Sequence, residues 1–176
     1  MVQAFTILRK KYLWSAELYL AGAKESDIRD ALRERQIRVE EVDWQKIHLL
    51  GDLGSEKLTD YYNLCDVFCM PSYFEAYGLV FAEALTYGLP CIGRDKFAMS
   101  EFIEDGCTGR LISGEDAEEL ALDLWEVLRD PKYREEVERR REWYLREYSW
   151  DKVAQRICSV MEKNERDKDQ YRSAGV

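Results

Sequence analysis

The chain has 176 residues, with 26 Lys and Arg against 35 Asp and Glu for a net charge of −9, and 46% of its positions are hydrophobic. At roughly 100–200 residues per domain this is one globular domain, with enough apolar side chain to fill a core. The acidic balance, with no face that concentrates Lys and Arg, excludes a general nucleic-acid binder, because neutralising phosphates takes a dense basic surface.

Hydrophobic spacing predicts short strands alternating with amphipathic helices. A helix runs from Val2 to about Leu13, then a strand over Glu17–Ala21 is closed by Gly22. A helix over Ser26–Gln36 precedes the strand Ile47–Leu50, closed by Gly51, and a helix opens at Ser55 with Leu58, Tyr61, Tyr62 and Cys65 on one face. The strand Asp66–Met70 stops at Pro71. A helix from Gly78 to Tyr87 ends at Gly88, and a short strand (Pro90–Gly93), a helical turn (Ser100–Glu104) and a last strand (Gly109–Ile112) follow.

From Asp116 onward the pattern is helical, with Ala117, Leu120, Ala121, Leu124, Trp125 and Leu128 on one stripe. Pro131 opens a charged helix to about Tyr148, whose Arg134–Arg141 run reads as a solvated face, and Ser149 caps a final helix. Residues 1–162 are expected to form the domain; 163–176 are polar and aperiodic, which predicts a disordered tail. Alternating strands and helices imply an α/β fold, a Rossmann-like three-layer parallel sheet with helices on both faces and helices appended at the C-terminus.

Isolated chemistry is sparse. His48, the single histidine, lies in the apolar run Ile47–Leu50 and reads as a core or edge strand residue, which leaves a His-rich metal site or a Ser/His/Asp hydrolase unsupported. The five cysteines (Cys65, Cys69, Cys91, Cys107, Cys158) form no C-x-x-C pair and read as reduced core thiols. No apolar run approaches the ~18 residues of a membrane span. At the N-terminus apolar residues precede Arg9, Lys10 and Lys11, the reverse of a secretory signal, so the expected location is the cytoplasm.

The informative segment runs from Cys69 to Ala84: a strand end, a loop and a helix start, where open α/β sheets bind ligands. Gly78 lets a ligand approach the backbone, and the free N–H groups of the first helical turn form an anion site suited to a diphosphate. Glu75 lies just before that turn and Glu83 about five residues into the helix, roughly 7–8 Å further along. Carboxylates beside a phosphate site are unfavourable unless they bind hydroxyls, and they accept well from the vicinal diols of a ribose or hexose. A nucleotide-sugar has that layout. The plainer alternative makes Glu75 a dipole partner and Glu83 a solvated helix residue.

Pro71-Ser72, the pair Glu75 and Glu83 with seven residues between, Tyr77-Gly78-Leu79-Val80, Glu83-Ala84 and Gly88-Leu89-Pro90 resemble the donor-binding signature of retaining GT-B glycosyltransferases, family 4 or the glycosyl transferases group 1 type. Leu18–Gly22, Ile47–Gly51, Glu101–Gly106 with Thr108-Gly109, and Tyr148-Ser149-Trp150 extend the likeness in order, from about Val2 to Met161. The resemblance implies one half of a GT-B fold and a hexosyltransferase that takes a UDP-, GDP- or similar donor. Glu75, the residue given a catalytic place, would hold hydroxyls of the donor hexose, with neither carboxylate assigned as a covalent nucleophile. Glu83 would hold the ribose diol, and the loop Ala76, Tyr77, Gly78 and Leu79 the distal phosphate and sugar. Gly22 and the loop after Gly51 would lie near the base. The family is generally metal-independent, so no cofactor is implied, and amides and cations must neutralise the diphosphate.

Two departures stand out. The strand and glycine-rich basic loop that open the family's C-terminal domain have no counterpart, and Arg9, Lys10 and Lys11 sit at the wrong end of their helix to replace that loop. Arg94 and Lys96 are placed to compensate in part. The N-terminal acceptor domain has no counterpart either, so the resemblance implies a partner domain or chain. The stripe Trp150, Val153, Ala154, Ile157, Val160 and Met161 on the last helix should be partly uncovered, for a partner or self-association, or else packed on the helix before it. The alternative to a donor domain is a non-catalytic nucleotide-sugar-binding or association module. No G-x-G-x-x-G, Walker A or acidic receiver pocket supports an unrelated doubly wound fold.

Overall fold

Strands and helices alternate as the hydrophobic periods require in a computed structural model that describes the backbone of residues 1–173 and the side chains of residues 1–163. In chain order these are α1 (Val2–Lys11), β1 (Leu18–Ala21), α2 (Glu25–Glu34), β2 (Ile47–Gly51), α3 (Ser55–Leu64), β3 (Phe68–Cys69), α4 (Leu79–Thr86), β4 (Cys91–Arg94), α5 (Met99–Phe102) and β5 (Gly109–Ile112). Three helices close the chain: α6 (Ala117–Arg129), α7 (Lys132–Glu147) and α8 (Trp150–Ser173). Two 3-10 turns, Val39–Glu41 and Trp44–Lys46, lie ahead of β2 where the sequence shows no period.

Every strand pairing is parallel, and the strands fall into two ladders, β1–β2 and β3–β4–β5. β1 pairs only with β2 and β3 only with β4, so each leaves an edge unpaired. β3 is shorter than the predicted Asp66–Met70, because only Phe68 and Cys69 find partners on β4, opposite Cys91 and Ile92.

Alternation along the strands divides the core in two. Cys69, Ile92 and Ile112 point to one side, into a cluster with Phe5 and Leu8 of α1, Leu32 of α2 and Leu120, Leu124 and Val127 of α6. Leu18, Leu20 and Leu49 pack against the same cluster, so one apolar layer serves both ladders. Phe68, Cys91 and Leu111 point the other way, toward Phe81 and Leu85 of α4, Met99 and Phe102 of α5, and Val137 and Tyr144 of α7. Helices therefore cover both faces, as the α/β reading requires.

Caps form where the sequence places them. Asp116 Oδ1 accepts the Glu118 N–H at 2.9 Å to open α6, and Ser149 Oγ accepts the Lys152 N–H at 3.2 Å to open α8. Two expectations need correction. α8 is helical to Ser173, through the residues from Lys163 read as a disordered tail; they lack apolar period, but Glu, Lys, Arg and Gln without Gly or Pro sustain a helix, and residues 174–176 lie outside the described residues. Nor are the cysteines all core thiols. Cys91 is buried, but Cys158 is exposed on α8, and Cys107 is half-buried beside Arg140 Nη2 at 3.4 Å. His48 sits half-exposed on β2, stacked on Tyr19 (4.6 Å) with Nε2 3.0 Å from Glu17, the edge-strand reading.

Candidate functional site

The loop after β3 carries the candidate site. Met70 donates its N–H to the Ile92 carbonyl (3.0 Å), Pro71 ends the pairing, and the chain reaches Gly78, which opens α4 with φ at 77°. A Cβ at Gly78 would lie 3.0 Å from Phe81 Cδ2 and 3.3 Å from Glu75 Cγ, so both conformation and space call for glycine. The Gly78 N–H donates to Glu75 Oε1 (3.1 Å), which folds the Glu75 carboxylate over the helix start. Oε2 of Glu75 takes no partner among the described residues.

Glu83, exposed on α4, is oriented from α3: the Tyr62 hydroxyl donates to its Oε2 at 3.2 Å. Tyr62 is itself 5% exposed and stacked on Tyr87 with ring centres 5.3 Å apart. Burial, followed by the charge of Glu83, pushes the Tyr62 phenol far above its usual range, so it stays a donor at any ordinary pH. Glu75 and Glu83 thus flank the first turns of one short helix, each held by a hydrogen bond that leaves one oxygen for a ligand hydroxyl.

Ala76, Tyr77 and Leu79 are exposed beside Gly78, with the Tyr77 ring edge-on to Phe102 at 5.6 Å. Gly22 and Gly51 meet at the carboxyl ends of β1 and β2, where the Gly22 N–H donates to the Gly51 carbonyl (2.8 Å). Arg94 is 6% exposed: Nε donates to the Pro71 carbonyl (3.1 Å), Nη1 to the Gly114 carbonyl (2.7 Å), and the guanidinium lies 4.3 Å from the Tyr73 ring centre. It clamps two loops to the end of β4 and keeps Nη2 unengaged among the described residues. Lys96 is exposed and forms no ion pair with a described residue.

Sequence reasoning did not single out Tyr62, Tyr73 and Arg35, which the structure brings against the candidate residues Glu83 and Arg94. The Tyr73 hydroxyl accepts from Arg35 Nη2 at 3.3 Å, so one tyrosine joins two cations from distant parts of the chain. Burial first, and the charges of Arg35 and Arg94 after it, lower the pKa of the Met1 amino group, which lies just ahead of α1 at the positive end of that helix dipole. Arginine at the end of a helix gives no sequence signal of such convergence, whereas Tyr73 lay inside the informative segment and Tyr62 on the inner face of α3. Together, two oriented carboxylates and a cationic rim can bind a molecule with hydroxyls at both ends and an anion between them.

The sequence profile of the family described as Glycosyl transferases group 1 matches residues 1–144. The chain belongs to that family. A D-inositol 3-phosphate glycosyltransferase of Kribbella flavida is 32% identical over 98 residues, which are 56% of this chain and 23% of that protein. An uncharacterised glycosyltransferase of Methanocaldococcus jannaschii is 28% identical over 149 residues, 83% of this chain and 37% of the relative. This group 1 chain therefore spans less than half the length of either. Among solved structures, an Anabaena HepE protein in complex with UDP and glucose superposes with a TM-score of 0.73 at 18% identity, over 92% of this chain and 44% of that one. Sucrose-phosphate synthase of Thermosynechococcus elongatus gives 0.71 at 21% identity over 94% and 42%. The fold is that of GT-B glycosyltransferases, in agreement with the resemblance drawn from the motif.

Proposed function

We propose that this chain is the donor half of a retaining hexosyltransferase, binding a nucleotide-sugar and completed by an acceptor domain or partner chain. The observation that carries the reading is the pair of carboxylates fixed on either side of the α4 start, Glu75 by the Gly78 amide and Glu83 by the Tyr62 hydroxyl. Glu75 takes hexose hydroxyls, Glu83 the ribose diol, and the amides of Ala76–Leu79 the distal phosphate. Gly22 and Gly51 border the base. No metal takes part: the diphosphate charge is met by amides, by the free edge of Arg94 and by Arg35. Among the described residues no helix is long and apolar enough to cross a membrane, which accords with a cytoplasmic enzyme that meets a membrane only through its partner.

Calorimetric titration with UDP, GDP, UDP-glucose and GDP-mannose tests this. One base should bind saturably, and Glu83→Gln should weaken it about tenfold, the worth of a charge-assisted hydrogen bond of ~1.5 kcal/mol. Tyr62→Phe should weaken it less. Absence of binding at millimolar ligand by a folded chain would favour the second reading, a non-catalytic association module. That reading draws on α8, where Trp150, Ile157, Val160 and Met161 are each more than half exposed.

A further inference from the structure

Four rings, each more than half exposed, crowd the carboxyl ends of β3 and β4, and they differ in what they touch. Tyr73 is held by Arg94 and Arg35, and Tyr77 by Phe102. Phe74 and Phe97 are 73% and 52% exposed and touch each other edge to face, with ring centres 5.3 Å apart. Phe97 is also one of only two non-glycine residues in the described chain with a left-handed backbone, at φ 56°. A bulky residue held there at a conformational cost, with its ring in solvent and no core to fill, points to a surface with a use.

What that use is follows from its neighbour. Phe74 directly precedes Glu75, the carboxylate with an unengaged oxygen. A pyranose has an apolar face of C–H groups and a rim of hydroxyls, so it is recognised by an aromatic face set beside a carboxylate: the ring takes the C–H face, and the carboxylate takes the hydroxyls and fixes orientation. A lipid surface or an apolar peptide would use the rings, but covering the neighbouring Glu75 with apolar groups would cost the desolvation of its carboxylate. We infer that Phe74 and Phe97 form the stacking floor for the hexose of the donor and so determine which sugars this chain accepts. The inference rests on the donor-half reading and adds to it two residues that the motif does not contain.

The test compares each nucleotide with its sugar conjugate, UDP against UDP-glucose and GDP against GDP-mannose, on the wild-type chain, Phe97→Gly, Phe74→Leu and Phe74→Tyr. Phe97→Gly suits the φ of that position, so its Tm should not fall. Its affinity for the bare nucleotide should stay within twofold, and the extra affinity conferred by the sugar should drop about tenfold, or 1.4 kcal/mol. Phe74→Leu should lose the increment as well, because it keeps bulk without a ring face, and Phe74→Tyr should keep it. Ring signals of the two phenylalanines should shift in NMR spectra with the conjugate and not with the nucleotide. An unchanged sugar increment in Phe97→Gly and Phe74→Leu, with nucleotide still bound, would overturn the stacking floor and leave the donor reading standing. No nucleotide bound by the folded wild type would bring both down.

Discussion

The two ladders of this protein are built from similar sequence and end up in different states. All four residues of β4 are buried, because β3 and β5 pair with its two edges and α4, α5 and α7 cover one face. In β1 and β2 only Ile47 is buried, although Leu18, Leu20, Leu49 and Leu50 are as apolar as anything in β4. Apolar strands need neighbours in the sheet as well as helices above it to leave water. The carboxylate pair hangs on the well-covered ladder, through α3, β3 and α4, and the two site glycines on the sparsely covered one. The candidate carboxylates are thus set on the firmer part of the molecule.

Substitutions can break this contrast or sharpen it. The largest effect is expected at Phe81, fully buried beneath β3 and β4 with its ring edge-on to Phe68 at 5.3 Å: Phe81→Ala should cost about 3–5 kcal/mol in chemical denaturation. Arg94→Met should come next, at about 2–3 kcal/mol, because it leaves the Pro71 and Gly114 carbonyls without their donor. Leu20→Ala on the other ladder should cost only about 1–2 kcal/mol, since that side chain is only partly buried against the core. If Leu20→Ala proved as costly as Phe81→Ala, the ladders would be equally well packed and the contrast void. Hydrogen exchange gives an independent measure, with the amides of β1 exchanging well before those of β4.

A separate effect, read by pH instead of truncation, is expected at α6. Asp123 is 6% exposed and 3.2 Å from Arg110 of β5; burial raises its carboxyl to about 6, against the opposing pull of Arg110. A folded-state pKa above the unfolded value means that the native state holds the proton more tightly. Its contribution is therefore complete below about pH 4 and lost as pH rises through about 6. Asp123→Asn should accordingly gain in Tm relative to the wild type between pH 4 and pH 7, by about 2–4 °C for each kcal/mol. A difference that stayed flat across that range would show the carboxyl to be unperturbed.

Much of the fold was legible because each element carries its own period and punctuation. The stripe Leu120, Leu124, Leu128 behind Asp116 could only be a capped helix, and Ser149 before Trp150 marked another. The candidate site was legible where one short segment holds both chemistry and geometry, as from Pro71 to Glu83. The ladder division was not legible, since no residue of β1 records whether its far edge finds a partner. The length of α8 was misread because helix-forming polar residues need no apolar stripe.

The sequence by itself determined the order of elements, the parallel α/β class and the family, because these depend on local period and on spacing within a few turns of chain. Only the tertiary structure decided that Tyr62 orients Glu83, that Arg94 spends most of its reach on the Pro71 and Gly114 carbonyls, and that Tyr73 draws Arg35 to it across 38 residues. Such contacts form between segments far apart in the chain, and their geometry is set by how helices settle on the sheet, which no local pattern encodes.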